Sequence, residues 1–134
     1  MPFPGAGHLV GADRPAGVVD HRMARHALVE EYRRGRLAQH EVCDAHPELR
    51  RAAENLGRET REVCPICEDR FLVLVTYAFG AHLPKSGYVV EDRADMNKVR
   101  RMTPECTCYV VEACTGCGWN HLLQTFPVEG LRGR

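Results

Sequence analysis

Two short cysteine motifs decide the fold: CPIC at residues 64–67 and CTGCG at residues 114–118. Each motif places two thiols three positions apart, in a turn that Pro65, Gly116 and Gly118 allow to be tight. A tetrahedral zinc ion takes four ligands, with sulfur about 2.3 Å from the metal, and two such turns supply four thiolates. We therefore expect one structural Zn2+ per chain. The predicted ligands are Cys64, Cys67, Cys114 and Cys117.

Strand-like sequence adjoins both motifs, which predicts that each motif is the turn of a β-hairpin. Two hairpins whose turns share a metal form a zinc ribbon. We expect an antiparallel, four-stranded ribbon over residues 58–128, with an insertion at residues 80–105. The predicted strands cover residues 58–63, 70–79, 106–113 and 119–128.

Residues 18–57 have apolar residues at helical rather than alternating intervals. Asp20 is the expected N-cap of the first helix. A unit of this size buries too little apolar surface to be stable alone, so we expect it to pack on the ribbon and give an α+β fold. The predicted helices cover about residues 20–34, 37–43 and 47–56.

Three further segments complete the expected organisation. Residues 1–17, rich in proline and glycine, predict a flexible arm, and residues 129–134 predict a tail. Within the insertion, we expect a short extended stretch at residues 88–90 and a helix at residues 93–102.

The composition restricts the classes of function. The 134 residues have 44% hydrophobic content and a formal net charge of zero, so bulk electrostatic attraction to nucleic acid is disfavoured. No charged-then-apolar leader opens the sequence and no run is long enough to span a bilayer, which predicts a cytoplasmic protein without membrane contact. In that compartment, paired cysteines favour metal binding over disulfides.

The segment after the last ligand, Trp119, Asn120 and His121, allows two interpretations. These side chains could stack on and hydrogen-bond a base, a peptide or another protein. Alternatively, Trp119 covers the metal site and His121 satisfies a neighbouring carbonyl. We include in the candidate binding surface the basic residues of the first predicted helix. They are Arg22, Arg25, Arg33 and Arg34.

Three cysteines remain outside the motifs: Cys43, Cys106 and Cys108. Residues 106 and 108 point to the same face of a strand, so they could form a redox pair or half of a second metal site, with Cys43 or His121 as a further ligand. Alternatively, Cys43 is a core thiol that packs as a small apolar group, and Cys106 and Cys108 bind no metal.

Four segments of the chain resemble an uncharacterised family of short actinobacterial proteins, a domain of unknown function. The resemblance covers about residues 18–128, and it implies a small intracellular zinc-ribbon protein without an established activity. The segments are EVCDA at residues 41–45, CPIC at residues 64–67, VVEAC at residues 110–114 and GCGWNH at residues 116–121.

The leading functional hypothesis is a non-enzymatic zinc-ribbon adaptor that docks on RNA polymerase or the ribosome, mainly through protein contacts. Nucleic-acid contact is secondary in this hypothesis, and no small-molecule substrate is expected. One alternative is a sequence-specific DNA-binding regulator that uses Arg50 and Arg51. Another is a thiol-based redox or metal sensor. No acid, base and nucleophile constellation is recognisable, so an enzyme is not expected.

Overall fold

The computed structural model describes residues 17–131. Within that range the chain forms one antiparallel sheet with helices on both of its faces, which confirms the α+β class. Six strands are present among these residues where the sequence predicted four in the ribbon. In chain order the elements are β1 (Val19–Asp20), α1 (Arg22–Arg33), α2 (Gln39–Val42), α3 (Pro47–Leu56), β2 (Arg58–Val63), β3 (Phe71–Gly80), β4 (Tyr88–Val90), α4 (Arg93–Met102), β5 (Glu105–Ala113) and β6 (Asn120–Glu129).

The sheet has the strand order β1-β6-β5-β3-β2, and β4 also pairs with β3. β2 and β4 follow one another along the same edge of β3, because β2 pairs with its first half and β4 with its second. The additional strands are β4, where the sequence predicted a brief extended stretch, and β1, which pairs with the outer edge of β6. The insertion therefore belongs to the sheet rather than projecting from it.

Strand β3 is apolar on both sides, and its alternate residues pack in different cores. Leu72 and Leu74 face the side that α1 and α4 cover. Val73 and Val75 face α3, which packs through Ala53 on the opposite side. The helices before β2 are thus divided between the two faces of the sheet, and they do not form a unit apart from it.

Local sequence explains where the helices begin. The prediction of Asp20 as the N-cap of α1 is wrong by one residue, because His21 is the N-cap and its side chain makes no capping hydrogen bond. Asp20 instead accepts a hydrogen bond from the Arg22 amide through Oδ1 (2.9 Å) just before the helix. His46 Nδ1 accepts from the Glu48 amide (3.1 Å) at the start of α3, where Pro47 occupies the first turn. In the insertion, Asp92 caps α4 by accepting from the Asp95 amide (2.8 Å).

The predicted arm at residues 1–17 lies, except for Gly17, outside the described residues, as do residues 132–134 of the predicted tail. Residues 130 and 131 are held in place by hydrogen bonds from their amides to the carbonyls of Pro104 (2.7 Å) and Arg100 (2.7 Å). None of the helices within the described part of the chain has the length and apolarity needed to cross a membrane.

Candidate metal centre

The two cysteine motifs meet because their hairpins are neighbours in the sheet. One motif joins β2 to β3 and the other joins β5 to β6, and β3 pairs with β5 in an antiparallel register that opposes Val73 and Ala113. Both turns therefore lie at the same end of the sheet. We call residues 64–68 knuckle 1 and residues 114–118 knuckle 2.

The two knuckles follow the same backbone path. In knuckle 1 the amide of Glu68 donates to the Cys64 carbonyl, and in knuckle 2 the amide of Gly118 donates to the Cys114 carbonyl, each at 3.1 Å. The fifth residue is left-handed in both, with φ 55° at Glu68 and 92° at Gly118. The repeated turn aims both thiols of each motif at the same point in space.

The four predicted ligands lie together, with all four sulfur atoms within 4.8 Å of one another, and they could hold a metal ion. The Sγ–Sγ distances are 3.7 Å between Cys64 and Cys117 and 3.6 Å between Cys67 and Cys114. Sulfur atoms at about 2.3 Å from a tetrahedral metal are about 3.8 Å apart, so the cluster has the right size for such an ion.

Backbone amides of the knuckles, and of the residue that follows knuckle 2, point at the sulfur atoms. The amides of Ile66, Cys117 and Trp119 donate to the sulfurs of Cys64, Cys114 and Cys117 respectively, each at 3.4 Å. Such hydrogen bonds stabilise thiolate charge. The donor set therefore fits a cation that prefers thiolate ligands.

Burial opposes ionisation of these thiols while no cation balances their charge. Burial raises the pKa of Cys64, and it raises the pKa of Cys117 to about 12. Burial also acts on Cys114, but hydrogen bonds from the Cys117 and Gly116 amides and from neighbouring thiols outweigh it and lower the pKa of Cys114. Metal binding at neutral pH must therefore displace protons from the cluster.

Trp119 is fully buried beneath the cluster, where it packs with Cys64 and Cys114. Its Nε1 donates to Oε2 of Glu112 (2.7 Å), a carboxylate that is only 2% exposed. Arg25 Nε donates to the same oxygen (2.5 Å) and balances its charge. Trp119, which has no exposed surface, is therefore not available to a binding partner in this structure, whereas Arg25 keeps 20% of its side chain exposed while it pairs with Glu112.

Glu112 itself was missed by sequence reasoning. The indication available was a single acidic residue in the otherwise apolar run Val110, Val111 and Ala113. Such a residue on the buried side of a strand requires a cationic partner. The partner, Arg25, is 87 positions away, which local patterns do not reveal.

Asn120 and His121 are half-buried and make contacts within the chain. Asn120 Nδ2 donates to Oδ1 of Asp44 (3.1 Å) and to the Gly118 carbonyl (3.2 Å). The His121 ring stacks on Trp119, with ring centroids 6.0 Å apart, and its Nδ1 lies 2.6 Å from the Leu122 carbonyl oxygen. The alternative in which Trp119 covers the site and His121 satisfies a carbonyl fits this geometry.

The other predicted basic residues lie at the two ends of α1. Arg22 is its first residue, and Arg33 and Arg34 are exposed at its C-terminal end, where Arg33 Nη1 lies 3.7 Å from Glu30 Oε1. With Arg25 turned toward Glu112, the four arginines do not form one continuous charged surface.

The connection between α2 and α3 packs directly on knuckle 2. The Ala45 amide donates to the Gly118 carbonyl (3.0 Å), and Arg50 Nη2 donates to the Gly116 carbonyl (3.3 Å). Arg50 therefore contacts its own chain rather than projecting as a DNA-reading side chain. The same connection brings Cys43 Sγ to 3.4 Å from Cys117 Sγ.

Cys106 and Cys108 lie in a different core from Cys43. Both are buried on β5, where they pack with Met96 and Val99 of α4. In this structure they are core thiols, which pack as small apolar groups. The structure therefore does not bring the three remaining cysteines together.

A shallow trough on the α3 side of the sheet was also missed by sequence reasoning. Its volume is about 600 Å³, and its lining includes Tyr77, Phe79, Leu49 and Leu122. The rings of Phe79 and Tyr109 meet edge to face with centroids 5.3 Å apart, and Phe79 is 36% exposed. Aromatic residues two positions apart on β3 were the available indication, because they share one face of the strand.

These features define a class of protein: an α+β chain in which two cysteine knuckles on adjacent hairpins could hold one metal ion. The chain belongs to the family of unknown function DUF5318, whose model matches residues 13–133. The resemblance to an uncharacterised actinobacterial family is thereby confirmed.

Similar relatives are the uncharacterized proteins Mb0050 of Mycobacterium bovis and Rv0049 of Mycobacterium tuberculosis. Each is 35% identical over 114 residues, which cover 85% of this chain and 83% of the relative. No solved structure matches the chain significantly.

Proposed function

We propose that this protein is a zinc-binding adaptor: one structural Zn2+ fixes the sheet, and the trough on the α3 side of the sheet docks a protein partner without catalysis. The observation that carries the proposal is the four-sulfur cluster, with all sulfur atoms within 4.8 Å. Tetrahedral sites with four thiolates suit zinc or iron, and zinc is the usual metal where the role is structural.

The ligand set supports a structural rather than a hydrolytic role. Four thiolates saturate a tetrahedral zinc ion and leave no position for an activated water molecule. In zinc-finger peptides, such binding contributes about 10–16 kcal/mol to folding. Here the ion would join knuckle 1 and knuckle 2, and through them the β2–β3 and β5–β6 hairpins.

The trough beside Tyr77 and Phe79 supports a protein partner. Half-exposed aromatic rings and apolar side chains line it, as in the centre of many protein interfaces. Glu48 on its rim would repel a phosphate backbone, and the formal net charge of the chain is zero. RNA polymerase and the ribosome are the proposed assemblies, by analogy with other zinc ribbons.

The proposal is tested by purifying the tagged protein from its native cells, measuring its metal content and identifying what co-purifies after crosslinking. We expect one zinc per chain and enrichment of polymerase or ribosomal subunits. The Phe79→Ser variant should weaken binding at least roughly 30-fold, because a central aromatic contact contributes about 2 kcal/mol or more.

The matched control is Met23→Ser, which removes a side chain that is 88% exposed on α1, on the other side of the sheet. This variant should co-purify the same subunits as the wild type. Recovery of neither assembly, or equal loss of binding in both variants, would contradict docking through the trough.

A further inference from the structure

A fifth thiol stands beside the four-sulfur cluster. Cys43 Sγ lies 3.4 Å from Cys117 Sγ, with the Cys43 thiol as donor of the hydrogen bond. Cys43 follows the last residue of α2 and belongs to neither knuckle. Because four thiolates complete a tetrahedral site, Cys43 keeps a free thiol next to one that is proposed to bind the metal.

Several contacts hold Cys43 in this position. Its amide donates to the Gln39 carbonyl (2.8 Å), and two residues later the Ala45 amide donates to the Gly118 carbonyl (3.0 Å). A Cβ atom on Gly118 would lie only 3.2 Å from the Cys43 carbonyl oxygen, so the two backbones are in close contact. The approach of the two sulfur atoms is therefore built into the packing of α2 on knuckle 2.

Exposure distinguishes this pair from the buried thiols of the chain, and Cys67, which is also partly exposed, is itself one of the four proposed ligands. Cys64 and Cys114 have no exposed surface, whereas Cys43 and Cys117 are both partly exposed. A small oxidant from solvent can therefore reach Cys117, and Cys43 is the adjacent thiol that the metal does not need. A disulfide requires an S–S distance of about 2.05 Å, so the sulfur atoms must approach by roughly 1.4 Å.

We propose that Cys43 and Cys117 are a peroxide-responsive disulfide site that controls the zinc centre, an inference that rests on the proposed zinc-binding function. The Cys117 thiolate attacks hydrogen peroxide and becomes a sulfenic acid, with release of hydroxide. The Cys43 sulfur then attacks the sulfenic sulfur, and its thiol proton leaves with the hydroxyl group as water. Two sulfur atoms lose one electron each, and peroxide accepts both.

The disulfide removes one of four ligands from the metal. Three thiolates then remain, with an open position, so zinc affinity falls and the ion is released to solvent or to a chelator. A thiol reductant restores both thiols, and zinc binds again. In the absence of Cys43, the thiols nearest the sulfenic acid at Cys117 are the other metal ligands, of which Cys64 lies 3.7 Å away. While these ligands hold the ion they are not free to form a disulfide, so the sulfenic acid is oxidised further to sulfinic acid, which is irreversible.

The test uses the zinc-loaded full chain, treated with hydrogen peroxide in the presence of a chromophoric zinc chelator. Disulfides are mapped by mass spectrometry of non-reduced peptides, and zinc binding is measured again after dithiothreitol and zinc are added. We expect a Cys43–Cys117 peptide and recovery of zinc binding in the wild type. Cys43→Ser should recover several-fold less and accumulate sulfinic acid at Cys117.

The matched control is Cys106→Ala, which removes a buried thiol from the other core and should behave as the wild type does. The inference is overturned if Cys43 remains free to alkylation while zinc leaves, or if Cys43→Ser recovers as fully as the wild type. Failure of the proposed function is distinguishable, because the untreated protein would then contain less than one zinc per chain.

Discussion

Knuckle 1 and knuckle 2 have the same backbone path and different surroundings. The left-handed residue of knuckle 1, Glu68, is exposed, whereas Gly118 of knuckle 2 is buried beneath the connection between α2 and α3. Knuckle 2 is followed by Trp119, which joins the buried network with Glu112. A metal ion held by the four cysteines would need both turns equally, but the helices before β2 and the buried Glu112 network contact knuckle 2 and Trp119.

The largest effect is expected from loss of a ligand. Cys114→Ser removes one of four thiolates, and metal binding of this kind contributes about 10–16 kcal/mol, as much as the whole stability of about 5–15 kcal/mol that most domains have. We expect loss of zinc and unfolding of the ribbon, seen by metal analysis and circular dichroism. Retention of one zinc with an unchanged melting curve would contradict the assignment.

Metal removal should also reveal a difference between the two knuckles in their rates of amide hydrogen exchange. As a chelator withdraws the ion and the ribbon begins to unfold, amide hydrogen exchange is expected to accelerate first in knuckle 1, where Glu68 and its neighbours are exposed. Exchange in knuckle 2 should accelerate later in the unfolding, because the Ala45 amide and the Arg50 side chain hydrogen-bond it to the helices. Equal exchange in both knuckles would show that the packing around knuckle 2 has no independent stability.

The next effect concerns the buried carboxylate below knuckle 2. Glu112→Ala leaves the Arg25 guanidinium and the Trp119 indole without their shared acceptor. Loss of one partner of a buried charged pair typically costs about 3–5 kcal/mol. The free energy of unfolding, from denaturant titration of the zinc-loaded protein, should fall by that amount.

Glu105→Ala is the matched control, since it removes an exposed carboxylate from the same strand. Its unfolding free energy should change by less than about 0.5 kcal/mol. Similar losses in the two variants would mean that the network with Arg25 contributes little.

A smaller effect on stability is expected from substitution of the left-handed residue of each knuckle. In Gly118→Ala the new Cβ would lie 2.8 Å from Arg50 Nη2 at φ 92°, so the unfolding free energy should fall by about 1–3 kcal/mol. In Glu68→Gly, relief of the left-handed strain is offset by greater freedom of the unfolded chain, so the change should be less than about 1 kcal/mol. Thermal unfolding of both variants measures the difference, and equal changes would refute it.

The smallest effect is expected from Arg50→Ala, which removes the hydrogen bond to the Gly116 carbonyl. One such bond contributes about 0.5–1.5 kcal/mol. Arg51→Ala is the control, because the Arg51 side chain is exposed. The unfolding free energy of this variant should change by no more than about 0.5 kcal/mol. Denaturant titration of the two variants should rank them in that order.

Local patterns in the sequence predicted most of the helices and strands, and they predicted the four cysteines that form the cluster. The strand at β3, the helix at α4 and the start of α3 at Pro47 follow from periodicity and from turn or capping residues. The four ligands follow from motif spacing, because each CxxC turn aims two thiols at one point without help from the rest of the chain.

What the sequence did not predict depends on packing between distant segments. The contact of Arg25 with Glu112 and the approach of Cys43 to Cys117 both join parts of the chain that no local period relates. The positions of α1 and α3 on opposite faces of the sheet also depend on long-range packing, because the two helices contact alternate residues of β3. All of these long-range contacts except those of α3 with β3 lie near knuckle 2.

X-ray absorption at the zinc edge, on protein purified from its native cells, tests the central claim most directly. We predict one zinc per chain, coordinated by four sulfur atoms at about 2.3 Å. A zinc site with nitrogen or oxygen ligands, or a folded protein that contains no zinc, would contradict it.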